Sequence, residues 1–224
     1  GFQNITLIER ESNFGLAKNI ILGVNELCKT YGSVIILEDD LVVSPYFLKY
    51  MLDGLKTYQD EEKVASIHGY QFPLKDKTPE TYFLKGADCW GWATWKRAWQ
   101  YFEPNGTKLL QALEAKNLTK EFDLDGAVGH TQMLRDQIAG KINSWAIRWH
   151  ASAFLQDMVT LYPGISLVDN IGNDGSGEHC KNSSLYTANI AQKPIKVDKQ
   201  DPIENREVRK YYRAFYQSSK PSIL

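Results

Sequence analysis

Val34-Ile35-Ile36-Leu37 is a continuously apolar, largely β-branched run, and Glu38-Asp39-Asp40 follows it without a break. Such a run reads as a strand buried on both faces, which requires helices on both sides of a sheet. Three consecutive carboxylates at its end repel one another, and a cation that neutralises them accounts for the cluster. Oxygen ligands suit Mg2+ or Mn2+. One or two carboxylates with open positions suit an ion that also takes substrate phosphates. The alternative is that the acids are solvated, or that they favour the positive N-terminus of a helix opening near Ser44. Ligands of open α/β sheets gather at the carboxyl ends of strands, which favours a site.

The flanking sequence supplies the helices. From Ser12 to Tyr31 the residues Ala17, Ile20, Ile21, Val24, Leu27 and Cys28 form an apolar stripe at helical spacing, and Gly32 is a natural stop. Ser44-Pro45 pairs an N-cap with proline at the first helical position, predicting a helix to about Gln59 with Phe47, Met51, Leu52 and Leu55 inward. Ile5-Thr6-Leu7-Ile8 and Val64 to Ile67 read as strands. Alternating strands and helices predict an α/β fold with an open, mostly parallel sheet flanked by helices. Further on, Tyr82-Phe83-Leu84 and Val159 to Tyr162 read as strands. Helices are expected over Thr94 to Phe102, Lys108 to Ala115, His130 to Ala139, from Asn143 or Ser144 to Gln156, and over Glu204 to Tyr216, with a loop over Gly172 to Gly177. The organisation expected is one domain over 1–192 and a charged tail with a helix over 193–224.

Bulk properties narrow the function classes. With 43% apolar residues and a net charge of -1, the chain has a sizeable core and no evident basic face for nucleic acid. Cys28, Cys89 and Cys180 lie far apart without metal-ligand spacing, so a reducing, cytoplasmic setting is expected. No apolar run is long enough to predict a membrane span.

Taken together, Ile35-Ile36-Leu37-Glu38-Asp39-Asp40-Leu41 and Ser44-Pro45-Tyr46-Phe47 resemble the N-acetylglucosaminyltransferase family that starts complex N-glycan synthesis, and bacterial glycosyltransferases related to it. The resemblance implies a GT-A type fold of the nucleotide-diphospho-sugar transferases. It makes Asp40 the ligand of Mn2+ or Mg2+, and Glu38 and Asp39 contacts to the nucleotide sugar, most readily a UDP-sugar. Arg10, Asn13, Gly15 and Asn19 resemble the helix start found in many such transferases, where a helix N-terminus and an arginine suit a diphosphate. Asn13 as a plain helix cap is the structural alternative. Trp90-Gly91-Trp92 resembles the family's sugar-pocket segment, whereas Trp95 and Trp99 are assigned to the core. The family's first strand-helix unit, which holds the base, has no counterpart here: the domain is truncated, permuted or reduced, and in the truncated case the polypeptide is expected to bind metal poorly and transfer nothing.

An inverting transferase needs a carboxylate to take the acceptor's proton. The family places it in a Trp-Asp-Asp-Trp element, and the nearest counterpart here, Trp145-Ala146-Ile147-Arg148-Trp149, lacks both acids. Asp136 is the first substitute, with Glu178 and Asp174 next; an exposed acid paired with a basic neighbour is the alternative reading of Asp136. His179 is a further candidate for the diphosphate or metal, and Arg148 balances either a phosphate or a carboxylate. The function expected is metal-dependent sugar transfer to an acceptor hydroxyl of a saccharide. The competing classes are a nucleotidyltransferase, for which no phosphate-cradling loop is present, and a carbohydrate-binding module, which has no use for the acidic triplet.

Overall fold

The computed structural model describes residues 2–174 and 184–219, the side chains of 173, 174 and 184 excepted. Its elements are α1 (Gly15–Tyr31), β1 (Ser33–Ile36), β2 (Leu41–Val43), α2 (Phe47–Thr57), β3 (Val64–His68), β4 (Thr81–Lys85), β5 (Trp92–Trp95), α3 (Lys96–Trp99), α4 (Gly106–Ala115), α5 (Thr119–Phe122), α6 (His130–Ile138), α7 (Trp145–Leu155), β6 (Val159–Pro163), β7 (Val168–Asn170) and α8 (Arg206–Ser218). Short 3-10 turns occupy Ile171–Asp174 and Ser184–Tyr186.

The α/β class holds, but the sheet is mixed rather than mostly parallel. Its order is β1-β5-β3-β6-β4, and only β3 and β6 are parallel neighbours. β5 pairs antiparallel with both β1 and β3, and β4 antiparallel with β6. It follows that β1, β3 and β6 run one way and β4 and β5 the other. The α2 crossover does return the chain to a strand of the same direction, but β5 is threaded between the two strands it joins. The aromatic cluster concealed this: Thr94 and Trp95, read as a helix start, end the strand β5. Ile5-Thr6-Leu7-Ile8 forms no strand either. Ile5 and Leu7 are exposed, and no described strand lies alongside to take up the hydrogen bonds of the segment.

Period-two alternation assigns the two faces of the sheet. Val34, Ile36 and Trp92 point to the face covered by α1, α3 and α7, where Trp92, Trp99, Trp145 and Trp149 pack together. Ile35, Ile67, Ala93 and Trp95 point to the opposite face, under Phe47 and Met51 of α2 and Val208 and Tyr212 of α8. Helix α7 is apolar nearly all round because it is covered on two sides. Trp145 and Trp149 meet the tryptophan layer, while Ile147 and Phe154 meet Leu109, Leu113 and Leu134 of α4 and α6. As its sequence suggests, Ser144 caps it, the hydroxyl accepting from Ile147 N at 3.2 Å. Among the described residues no helix is long and apolar enough to cross a membrane.

Candidate functional site

The β1–β5 register builds the site. Ile36 faces Trp92 across the ladder, so the next residues out are Leu37 opposite Gly91, with Glu38 beside the loop Asp88-Cys89-Trp90. The acidic triplet then turns the chain into β2, Leu41 N donating to Glu38 O at 3.4 Å. β2 pairs with β7, and Ile171 N donates to Asp40 O at 2.9 Å, which pins the turn against the end of β7.

Gly172 sits so tightly on Asp40 that any side chain there would collide with the carboxylate. Asp40 Oδ1 is buried and has no hydrogen-bond partner among the described residues. A buried acceptor without a donor costs free energy unless something else fills the position. Burial, and then the negative charges of Asp40 and Asp39, push the Glu38 carboxyl up to about 7. Asp39 is exposed. These features fit a cation held by one or two carboxylates and completed by a ligand, not a closed cage; among the described residues no three His, Cys, Asp or Glu side chains converge as a metal site.

Behind the loop lies a cavity of about 520 Å3, enclosed by the ends of β4 and β6, by α5 to α7 and by α8. Its size is that of pockets that enclose small organic ligands. Tyr70, Trp90, Tyr186 and Tyr216 supply aromatic wall, with Trp90 edge-on to Tyr70 and Tyr186. Asp88 reaches it from the loop after β4, and His130 and His150 line it from α6 and α7. Burial holds both imidazoles below their ordinary range, and His150 is lowered further by His130. Gly86 has φ +88°, and its missing side chain leaves room for the His150 ring. The Cys89 thiol joins the two halves of the site: burial pushes it up, and so do the charges of Asp88, Glu38 and Asp40 around it.

The remaining residues singled out from sequence divide. Gly32 alone joins α1 to β1, so α1 runs back along β1 and its start lies toward the triplet's end of the sheet. There Arg10 Nε donates to Asn19 Oδ1 at 3.2 Å, and Asn13 Oδ1 accepts from Gly15 N at 2.8 Å, Gly15 having φ +70°. Trp90 reaches the cavity, but Trp92 does not: it is fully buried in the tryptophan layer, because its place in β5 turns it to the α1/α7 face. Trp95 and Trp99 are core residues, as expected. Gly91, with φ +64°, lets the backbone pass close to Val168 and Phe47.

Asp136 lies on the solvent side of α6, outside the cavity, accepting from Lys141 Nζ at 2.9 Å and Gln132 Nε2 at 3.1 Å. The Lys141 ammonium holds its carboxyl below the usual carboxylate range, which weakens it as a proton acceptor. Arg148 donates to backbone, Nε to Ser144 O and Nη1 to Pro104 O, while its Nη2 is buried without a partner among the described residues. Glu178, His179 and Cys180 lie outside the described residues, as does the Asp174 side chain. Sequence reasoning passed over Asp88. The signal available was an acid in the short loop after a strand, one residue before the cysteine that precedes Trp90-Gly91-Trp92. No protein-family model matches the chain, and no curated protein matches it.

Proposed function

We propose that this chain belongs to a nucleotide-sugar-dependent glycosyltransferase and takes part in moving a sugar from a nucleotide diphosphate to a saccharide hydroxyl. The observation that supports this reading best is the Glu38-Asp39-Asp40 turn, where Asp40 holds a buried oxygen without a partner among the described residues and Glu38 is pushed up by burial and then by Asp40 and Asp39. Glu38 and Asp40 held this way with Asp39 between them, at the end of a sheet strand and beside an aromatic cavity, are costly unless a cation and its diphosphate ligand offset the repulsion. The resemblance in Ile35 to Phe47 points the same way.

Asp40 would hold Mn2+ or Mg2+, which when bound neutralises charge on the departing diphosphate. Glu38 and the exposed Asp39 accept hydrogen bonds from ribose and sugar hydroxyls. Arg10, beside the start of α1, offers a guanidinium to the anionic end of the donor, together with the Asn13, Gly15 and Asn19 segment it is bonded to. Trp90, on the cavity wall next to the triplet's loop, offers a sugar ring an apolar face.

The test is calorimetric titration with UDP-, GDP- and TDP-sugars, with and without Mn2+. Mn2+-dependent binding of one nucleotide class, lost in Asp40→Ala, is the expected result. Binding that ignores both Mn2+ and the substitution would move the protein to the carbohydrate-binding class, and no binding across the panel would overturn the reading.

A further inference from the structure

We propose that the aromatic cavity is the acceptor-saccharide subsite and that Asp88 is the base that takes the proton of the attacking hydroxyl. The inference rests on the transferase reading above and assigns to it the two parts that reading leaves open.

Among the described residues the cavity offers three carboxylates, and two of them are committed. Glu121 accepts from Lys85 Nζ at 3.1 Å, and Glu204 lies 3.5 Å from Arg209 Nε. Asp88 has no Lys or Arg partner among the described residues; its nearest cationic candidate is the buried His68, at 3.7 Å. Burial holds that imidazole below its ordinary range, so it brings little positive charge. Asp88 Oδ1 accepts from the Cys89 amide at 2.8 Å and Oδ2 from Tyr162 OH at 3.5 Å. A carboxylate has about four lone-pair positions, so these contacts orient the group and leave room for a hydroxyl donor.

Position supports the role. Asp88 lies at the junction of the two halves: it lines the cavity, and the next residue along the chain, Cys89, feels the charges of Glu38 and Asp40. A donor sugar seated on the triplet would present its anomeric carbon toward this loop. The walls suit a saccharide, since aromatic faces and edges pack on apolar C-H surfaces while a few polar groups fix orientation.

The step balances. As the acceptor oxygen forms its bond to the anomeric carbon, its proton passes to Asp88, the bond from that carbon to the diphosphate oxygen breaks, and its electron pair leaves with the nucleoside diphosphate. The wall also explains why the tryptophan element of α7 can lack its acids: Ala146 and Ile147 line the cavity there, and the carboxylate comes from the loop after β4 instead.

The experiment uses the UDP-, GDP- and TDP-sugar panel with Mn2+ and a set of methyl glycosides and disaccharides as acceptors, product being read by mass spectrometry. Asp88→Asn, which keeps the Oδ1 acceptor, is expected to lower product formation by roughly a hundredfold or more, the usual scale for a general base. Its Mn2+-dependent donor affinity should stay within about twofold, as expected for groups that bind independently. That retained affinity also reports that the variant is folded. Met133→Trp, at an exposed cavity-lining position on α6, is expected to raise the acceptor KM about tenfold, the scale of one poorly accommodated apolar group. Transfer by the wild type with Asp88→Asn nearly as active, or with donor affinity lost along with activity, would overturn the assignment of the base and leave the transferase reading standing. An unchanged acceptor KM in Met133→Trp would overturn the subsite. A wild type that binds no sugar nucleotide would remove both readings together.

Discussion

Glu38 shows what the site costs the fold. Its carboxyl, normally near 4.5, is raised to about 7 by burial and by Asp40 and Asp39. The folded state therefore binds this proton more tightly than the unfolded chain does. The stabilisation is full below pH 4.5 and is lost as pH rises through about 7. At pH 8 the folded protein carries an ionised group in a place that disfavours it. Glu38→Gln keeps the shape and removes the charge, and should stabilise the unliganded protein at pH 8 by on the order of 1–2 kcal/mol once solvent screening is allowed for. Urea unfolding at pH 8 and pH 5 checks this, the gain shrinking at the lower pH. A variant less stable than wild type at both values would show that the repulsion is already relieved in the fold. A charge held at a cost to stability is a common signature of a functional position.

At the scale of elements, the loop between β4 and β5 holds the site together, and its glycines are constrained in different ways from those elsewhere. A side chain at Gly91 would lie 2.7 Å from Val168 Cγ2 and 3.1 Å from Phe47 Cε2, with φ at +64°. Gly91→Ala combines left-handed strain with overpacking and should cost about 2–4 kcal/mol. Gly23, inside α1, has open space where a side chain would be added and no positive φ. Gly23→Ala should gain about 0.5–1 kcal/mol from helix propensity. Thermal unfolding of the two variants gives shifts of opposite sign if the loop is as tightly seated as the distances say. Equal shifts would mean that the loop relaxes around the added methyl.

The whole molecule depends on its tail. Beyond Lys193 the chain sends Ile195, Val208 and Tyr212 into the same core as α2 and β3 to β6. Asn205 N donates to Phe83 O at 2.8 Å, and Arg209 Nη1 pairs with Asp125 Oδ2 at 2.6 Å, joining α8 to β4 and to the chain after α5. Tyr212 and Tyr216 close one side of the cavity. A chain ending at Gln192 should therefore lose cooperative urea unfolding and bind a hydrophobic dye, because the apolar face under α8 is left open to water. A sharp transition with an unchanged midpoint would show instead that the tail is an independent appendage.

Local chemistry alone determined much of this. The strand before Glu38, the helix α1, the Ser144 cap and the apolar character of α7 are set by residues close together in sequence; the patterns overreach at Leu37, exposed past the end of β1, and at Leu27, exposed on α1. The acidic triplet at a strand end was legible for the same reason, as were Trp95 and Trp99 as core. What the tertiary structure decided is pairing and facing. Whether Trp92-Ala93-Thr94-Trp95 extends or coils depends on β1 and β3 waiting on either side of it, and its insertion between them turned an expected parallel sheet into a mixed one. The same insertion sent Trp92 inward, left Trp90 at the cavity and put the loop that carries Asp88 at the triplet's end of the sheet. Asp136 and Asp88 are both single acids near a glycine in the sequence. Only packing shows that one meets Lys141 at the surface, while the other stands unneutralised by any described Lys or Arg in the aromatic cavity. Contacts across dozens of residues leave no mark on local periodicity, so the site's centre became visible only once the chain was folded.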